Sequence, residues 1–287
     1  MTSAFRLFSK RPRAGLAFGT DFLLAARRGE NGMESVRSEL PPEVFSISPV
    51  TPNFTALANA ARLAGEAFEK LGGTSGQGIL ILPDLAVRAF VLPANGNRST
   101  AAALAKVERR LPYPGNEACL DLWVAPGGGR MLAAAVRRPV LRQYEQLLEA
   151  IGCSPSWANG ASLARIPAWA REVSGSPGSL PGGVLRAYLQ SYRHHYTWVV
   201  FHQGELVDVR VRMRTSGELG RMVDDSLRLP DVYDAVGESE IIVSGDGANR
   251  LVAEIGERGE LHATHSGAEG EPAQLESILG MAMQRSW

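Results

Sequence analysis

The residues best suited to chemistry are two short glycine-bearing turns. One is Gly19-Thr20 within "RAGLAFGTDFLLAARRG", and the other is Ser244-Gly245-Asp246-Gly247-Ala248 within "EIIVSGDGANRL". A glycine turn beside a strand can aim backbone N–H groups at a phosphate, because no side chain blocks the approach. The chemistry would be nucleotide binding or phosphoryl transfer. Transfer also needs a metal ion and a carboxylate to hold it or to orient water. The position for that carboxylate, two residues before Gly19, is Ala17. Asp21 follows the turn on the second strand's side, where it is expected to cap the bend. Neither a GxxxxGK[ST] loop nor a GxGxxG fingerprint is present.

The other reactive residue types are dispersed. The histidines are His194, His195, His202, His262 and His265, with no HExxH and no Cys/His cluster. His194 and His195 are neighbours, so on a strand they face opposite ways and do not share a ligand. Cys119 and Cys153 form no CxxC pair and read as small buried apolar residues. No GxSxG elbow occurs. Asp224-Asp225 diverge by about 100° on a helix and read as a solvated face. The sequence therefore predicts no catalytic residue and no metal site. Trp123, Trp157, Trp169, Trp198 and Trp287, with Tyr188, Tyr192 and Tyr196, are residues that interfaces favour, although most of them are expected in the core.

The elements that must position these residues can be read from periodicity. "AGLAFGT" and "DFLLAARRG" read as two strands joined at Gly19-Thr20, with a third in "MESVRSEL". Leu57, Ala60, Ala61, Ala64, Phe68 and Leu71 are spaced as one face of a helix that stops at Gly72-Gly73. Ile79 to Leu82 is a continuous apolar strand, expected to be buried on both faces. A second strand runs from Val87 to Leu92, and a helix from Thr100 to Leu111. "EACLDLWV" and "RMLAAAVRR" read as a hairpin, and a helix lies between Pro139 and Gly152. "VSGSPGSLPGG" is the expected boundary. Beyond it come the hairpin "TWVVFHQGELVDVRVRM", a helix from Gly217 to Leu227, a strand in "EIIVSGDGANRL", and a terminal helix in "PAQLESILGMAMQRSW". The class is α/β with two related layers.

Composition narrows the function further. The 287 residues are 45% hydrophobic and 21% charged, with 30 basic against 30 acidic, which suits a folded two-domain protein and argues against a nucleic-acid binder. No apolar run reaches the roughly 20 residues a membrane-spanning helix needs. Arg6, Lys10, Arg11 and Arg13 could touch acidic headgroups, so any membrane link would be peripheral.

The order of segments is similar to a known family. "ILILPDLAVRAFVLP", "AKVERRLPYP", "ACLDLWV", "MLAAAVRRPVLRQYEQLLEAIG", "WVVFHQGELVDVRVR", "IIVSGDGANRL" and "LGMAMQ" together resemble the type IV pilus assembly protein PilM family over nearly the whole chain. That family is similar to the cell-division protein FtsA. The resemblance implies a two-domain actin-like (RNase H-like) fold with an inserted subdomain in the first half. The first half would span residues 1–175 with the insert at about 96–152, and a reduced second half with its C-terminal helix residues 176–287. It implies a cytoplasmic scaffold, peripheral to the inner membrane, that binds the amino-terminal segment of a PilN-like membrane protein near Ile79 to Gly152 and meets the pilus assembly ATPases.

The family's first phosphate loop, Asp-x-Gly-Ser/Thr, falls here on Ala17, Phe18, Gly19 and Thr20. Its second loop falls in "LRAYLQSYRHHYTWVV", which has neither Asp nor Gly. The resemblance then implies a vestigial nucleotide site at Gly19, Thr20, Ser244, Gly245 and Gly247, with no ATP hydrolysis and no retained cofactor. The alternatives are an ATP- and magnesium-binding actin-like ATPase, or the cytoplasmic domain of a type II secretion protein L-like subunit.

Overall fold

The computed structural model describes residues 12–30, 32–73, 76–94, 100–125, 129–175, 184–214, 219–235, 239–258 and 261–284. The basic terminal residues Arg6, Lys10 and Arg11, and Trp287, lie outside the described residues.

The first half begins with an antiparallel meander, β1 (Ala14–Phe18), β2 (Phe22–Gly29) and β3 (Gly32–Glu39). Helix α1 (Leu57–Lys70) follows, and its last turn closes on Gly73, whose N–H donates to the Phe68 carbonyl at 2.7 Å. The apolar run then forms β4 (Gly76–Leu82), parallel to β1 with Leu16 beside Leu80. Ile79 to Leu82 are each no more than 1% exposed, as expected of a strand covered on both faces.

A smaller antiparallel sheet is inserted after β4. It consists of β5 (Arg88–Pro93), β6 (Ala118–Val124) and β7 (Arg130–Arg137), in the order β5-β7-β6, with α2 (Thr100–Glu108) against it. The chain returns through α3 (Arg138–Ala150) to β8 (Cys153–Gly160), which completes a five-stranded sheet in the order β3-β2-β1-β4-β8. The segment 96–152 is thus divided. The inserted sheet starts earlier, at Arg88, and α3 packs on the main sheet through Val140, Tyr144, Leu147 and Leu148.

The second half starts after α4 (Ala161–Gly175) and repeats the plan. Its strands are β9 (Leu185–Ser191), β10 (His195–His202) and β11 (Glu205–Met213). Two short helices, α5 (Leu219–Leu227) and α6 (Leu229–Val232), lead to β12 (Ser239–Gly245), α7 (Ala248–Arg258), β13 (His262–Glu269) and α8 (Glu271–Gln284). The sheet order β11-β10-β9-β12-β13 matches that of the first half strand for strand. The sequence placed "ANRL" at the end of a strand; instead α7 begins at Ala248.

One face of the first sheet packs on α1 and α3 through an aromatic group, Phe18, Phe45, Phe54 and Tyr144, with ring centroids 4.8–6.1 Å apart. The other face is covered by α8. Its Leu275, Ile278, Leu279 and Met283 pack with Ala17, Phe22, Leu24, Ile79 and Ile81. Helix α4 joins the halves, with Trp169 stacked on Tyr188 of β9 at 4.6 Å. The terminal helix, assigned by sequence to the second half, is therefore a wall of the first sheet as well.

Candidate functional site

The β1–β2 hairpin turns at Gly19, Thr20 and Asp21, and the Gly19 N–H donates to the Phe22 carbonyl at 3.0 Å. Glycine is required there by close packing, since a β-carbon at residue 19 would stand 2.2 Å from the Phe22 ring. Its φ lies outside the left-handed region, so backbone freedom is not the reason for it. The equivalent hairpin of the second half turns at Tyr192, Arg193 and His194 between β9 and β10, where the Tyr192 N–H donates to the His195 carbonyl at 2.8 Å. The two turns face each other. Asp21, expected to cap its own bend, instead forms an ion pair with Arg193 across the two halves.

Between the turns stands Glu271, the first residue of α8. Its carboxylate accepts the Thr20 backbone N–H at 2.9 Å and the Thr20 hydroxyl at 3.1–3.2 Å. Burial pushes its pKa up to about 6, against the lowering effect of these bonds and of the Arg193 backbone N–H. One helical turn along, Gln274 donates to the Ser244 hydroxyl at 3.3 Å. The first turn of α8 thereby touches both glycine-bearing turns that the sequence singled out.

Ser244 and Gly245 end β12, with Gly247 opening α7. Gly245 has φ +95°, and a β-carbon on it would lie 2.1 Å from the Ser191 carbonyl oxygen and 2.6 Å from Gln274 Oε1. The Asp246 N–H donates to the Ser191 carbonyl at 2.8 Å, and the Ser191 hydroxyl donates to the Asp246 carbonyl at 2.7 Å. Arg214 reaches Asp246 Oδ2 at 3.4 Å and the Tyr192 carbonyl at 3.3 Å. The turn's close approaches are thus to its own chain. Ala17 is fully buried against α8, in a cluster with Leu275, Ile278 and Leu279, so a metal-holding carboxylate would have an apolar neighbourhood there. These residues do not fit a nucleotide with its metal ion.

A buried polar group that sequence reasoning missed ties the halves beneath the turns. Asp84, 3% exposed, accepts the Ser162 N–H at 2.9 Å at the start of α4 and the Thr197 hydroxyl of β10 at 2.8 Å. The Ser162 hydroxyl lies between Asp84 Oδ2 and Gln190 Oε1, and the Tyr192 hydroxyl donates to the same Gln190 oxygen at 3.2 Å. Burial raises the Asp84 pKa, against its bonds to Ser162 and Thr197. Only the Asp in "LPD" hinted at this group, since an Asp after an apolar strand ordinarily reads as a turn residue. His195 is buried and stacked on Tyr192 at 4.4 Å, and burial pushes its pKa down to about 3, so it is neutral. Of Asp224-Asp225, read as a solvated face, Asp224 is exposed and stands 3.7 Å from Arg258, whereas Asp225 is half-buried and accepts the Tyr196 hydroxyl at 3.0 Å.

A separate slot of about 40 Å³ lies between the inserted sheet and β8. Its floor is one face of that sheet, because Cys119 opposes Val136 and Asp121 opposes Ala134 in register. Its far wall is Trp157, Ala158 and Asn159. Both β6 and β8 are edge strands, each paired on one side. Cys119, expected to be buried, is half-exposed here, whereas Cys153 is buried. Of the tryptophans, Trp169 and Trp198 are core, while Trp123 and Trp157 line this slot.

No protein-family description matches the sequence, and no curated protein matches it. Solved structures match its shape. A chain of the structure described as the PilM-PilN type IV pilus biogenesis complex superposes with a TM-score of 0.65 at 15% identity, covering 95% of this chain and 99% of that one. A Bacteroides thetaiotaomicron protein described as having an actin-like ATPase fold and unknown function gives 0.63 at 10% identity, covering 96% and 99%. The cytoplasmic domain of EpsL, an inner-membrane component of the Vibrio cholerae type II secretion system, gives 0.52 at 11% identity, covering 96% and 95%. The chain has the actin-like fold, as the sequence resemblance implied.

Proposed function

We propose that this chain is a docking subunit of a type IV pilus or related secretion machine, which holds an extended amino-terminal segment of a PilN-like inner-membrane protein without hydrolysing ATP. The observation that carries the reading is the pair of edge strands β6 and β8 beside an apolar floor: the segment would lie along a strand edge, and the slot of about 40 Å³ between them would take one of its side chains. An extended segment gains main-chain hydrogen bonds along such an edge, and side-chain pockets give it selectivity. Asp121 and Asn159 are the slot's polar groups, which suits a mainly apolar segment carrying one basic side chain.

The reading places the chain at the cytoplasmic face of the inner membrane, held there by its partner. Among the described residues no helix is long and apolar enough to cross a membrane. The pilus assembly ATPases are proposed as further partners, and the type II secretion L-like subunit as the rival machine. Absence of hydrolysis is supported by Ala17 at the carboxylate position and by the close packing around Gly245. Pull-down with immobilised amino-terminal peptides of the PilN-like protein and of its secretion-system counterpart tests the partner. Capture by the first supports the reading, and capture by neither overturns it. Phosphate release from Mg-ATP at millimolar nucleotide tests the rest, because magnesium-dependent turnover above the uncatalysed rate would contradict it.

A further inference from the structure

The paired hairpin turns have the form of an anion site, and at neutral pH a carboxylate already stands in it. We infer that the Glu271 carboxylate is the resident ligand of these turns, a side chain of the protein in the place where a phosphate would otherwise bind. Four observations converge. Thr20 offers both its N–H and its hydroxyl to the same carboxylate, a two-donor grip of the kind that turns and nests provide for oxyanions. The second turn faces the carboxylate from the other half, and its Arg193 N–H lowers the Glu271 pKa together with the Thr20 donors. Glu271 is 7% exposed, and it sits on the first residue of a helix, where the backbone N–H groups favour negative charge. Finally, Gln274 follows by one turn and contacts Ser244, so α8 closes over the second glycine-bearing turn as it inserts the carboxylate into the first.

The arrangement explains two departures that the sequence left unconnected. With a carboxylate supplied by α8, an acidic residue at position 17 would place a second negative charge close by, beneath Leu275 and Leu279; Ala17 is apolar and fits. The second turn has no glycine because it presents one backbone N–H to a carboxylate and needs no wider cradle. The inference is independent of the docking slot. It predicts that emptying the turns yields a site for a small oxyanion.

The test compares wild type, Glu271→Ala and Glu271→Gln in the full chain, by thermal unfolding in sodium formate, phosphate or chloride at equal ionic strength. The expected result is one midpoint for wild type in all three salts. Glu271→Ala should unfold at a lower temperature in chloride and recover in formate or phosphate, while Glu271→Gln, which keeps an acceptor for the Thr20 N–H, should respond little. Glu276→Ala on the same helix, where Glu276 accepts the Ser35 hydroxyl, serves as the control and should show no oxyanion-specific recovery. In solution the Thr20 amide proton resonance should shift in Glu271→Ala and return on adding formate. Equal salt responses in wild type and Glu271→Ala, or a Thr20 amide unmoved by the substitution, would overturn the inference while leaving the docking reading intact. Micromolar Mg-ATP binding by wild type would overturn this inference, because the turns would then hold a phosphate with Glu271 in place.

Discussion

Replacing Asp84 tests how the halves are held together. Ser162 has one hydroxyl proton and stands between two acceptor oxygens, Asp84 Oδ2 and Gln190 Oε1. With Gln190 Oε1 facing Ser162, the set closes when Asp84 carries a proton of its own. Asp84 then donates to Ser162 Oγ, Ser162 donates to Gln190, and Thr197 donates to Asp84. Burial raises the Asp84 pKa, in agreement with the neutral acid. Asparagine places an N–H where that proton stands and keeps an oxygen for the Ser162 N–H at 2.9 Å, while the Thr197 hydroxyl, which donates to the same Oδ2, must turn to accept the second amide N–H, so Asp84→Asn should cost about 1 kcal/mol. Alanine leaves the Ser162 N–H and the Thr197 hydroxyl buried without a partner, and at about 1–3 kcal/mol for each such group Asp84→Ala should cost about 2–6 kcal/mol. Urea unfolding of the full chain, followed by far-UV circular dichroism, reads both. If asparagine costs as much as alanine, the buried group is a carboxylate anion and the proton count is wrong. If alanine costs less than about 1 kcal/mol, the group does not fasten the halves.

Three further outcomes follow from the geometry. The Glu271 pKa is raised from 4.5 to about 6 in the folded chain, so folding is favoured when the group is protonated and loses about 2 kcal/mol as pH rises through about 6. Denaturation curves at pH 4.5 and 7.5 should show this loss in wild type and not in Glu271→Gln, and a parallel loss in both would refute it. Gly245→Ala meets the Ser191 carbonyl and should cost about 3 kcal/mol or more, whereas Gly247→Ala, at φ +70° with open space beside it, should cost only about 1–2 kcal/mol. Equal melting temperatures would contradict that contrast. The Cys119 thiol, whose pKa is raised by burial, should react slowly with maleimide and more slowly still with the docked peptide present, while buried Cys153 stays silent until unfolding. A peptide-independent rate would place the peptide elsewhere.

The parts of the fold legible in the sequence are those whose cores face one way or are wholly enclosed. The apolar run Ile79–Leu82, the spacing of Leu57 to Leu71 and the β10–β11 hairpin each carry a periodic signal that packing then enforces. Two edge strands, β8 and β13, were hidden, whereas the edges β3, β5, β6 and β11 were read. β8, "CSPSWANG", contains a proline and glycine that ordinarily break strands, but an edge strand tolerates them because one side needs no partner. β13, "HATHSGAE", is another edge strand with little apolar alternation. Helix α4 was obscured by Pro167 in its interior. The site was half legible. Gly19, Thr20, Ser244 and Gly245 lie where the turns were read, but the residues that engage them come from far along the chain. Thr20 and Glu271 are 251 positions apart, and no local spacing links a hairpin turn to the first residue of a terminal helix. The slot was hidden for the same reason, since its walls, β6 and β8, join only through the packing of the insert on the main sheet.

The central claim is that the slot holds a partner's extended segment, and its own tryptophans can report on it. Trp123 and Trp157 both line the slot, so titration with a synthetic amino-terminal peptide of the PilN-like protein should give a saturable change in tryptophan emission. Ala134 lies on the slot floor, half-buried, and Ala134→Arg places a long charged side chain in the peptide's path. The account predicts micromolar binding by wild type, with affinity lowered at least about tenfold, or about 1.4 kcal/mol, in Ala134→Arg at a temperature where circular dichroism shows both proteins folded. No emission change at millimolar peptide, or equal binding by the two proteins, would contradict it.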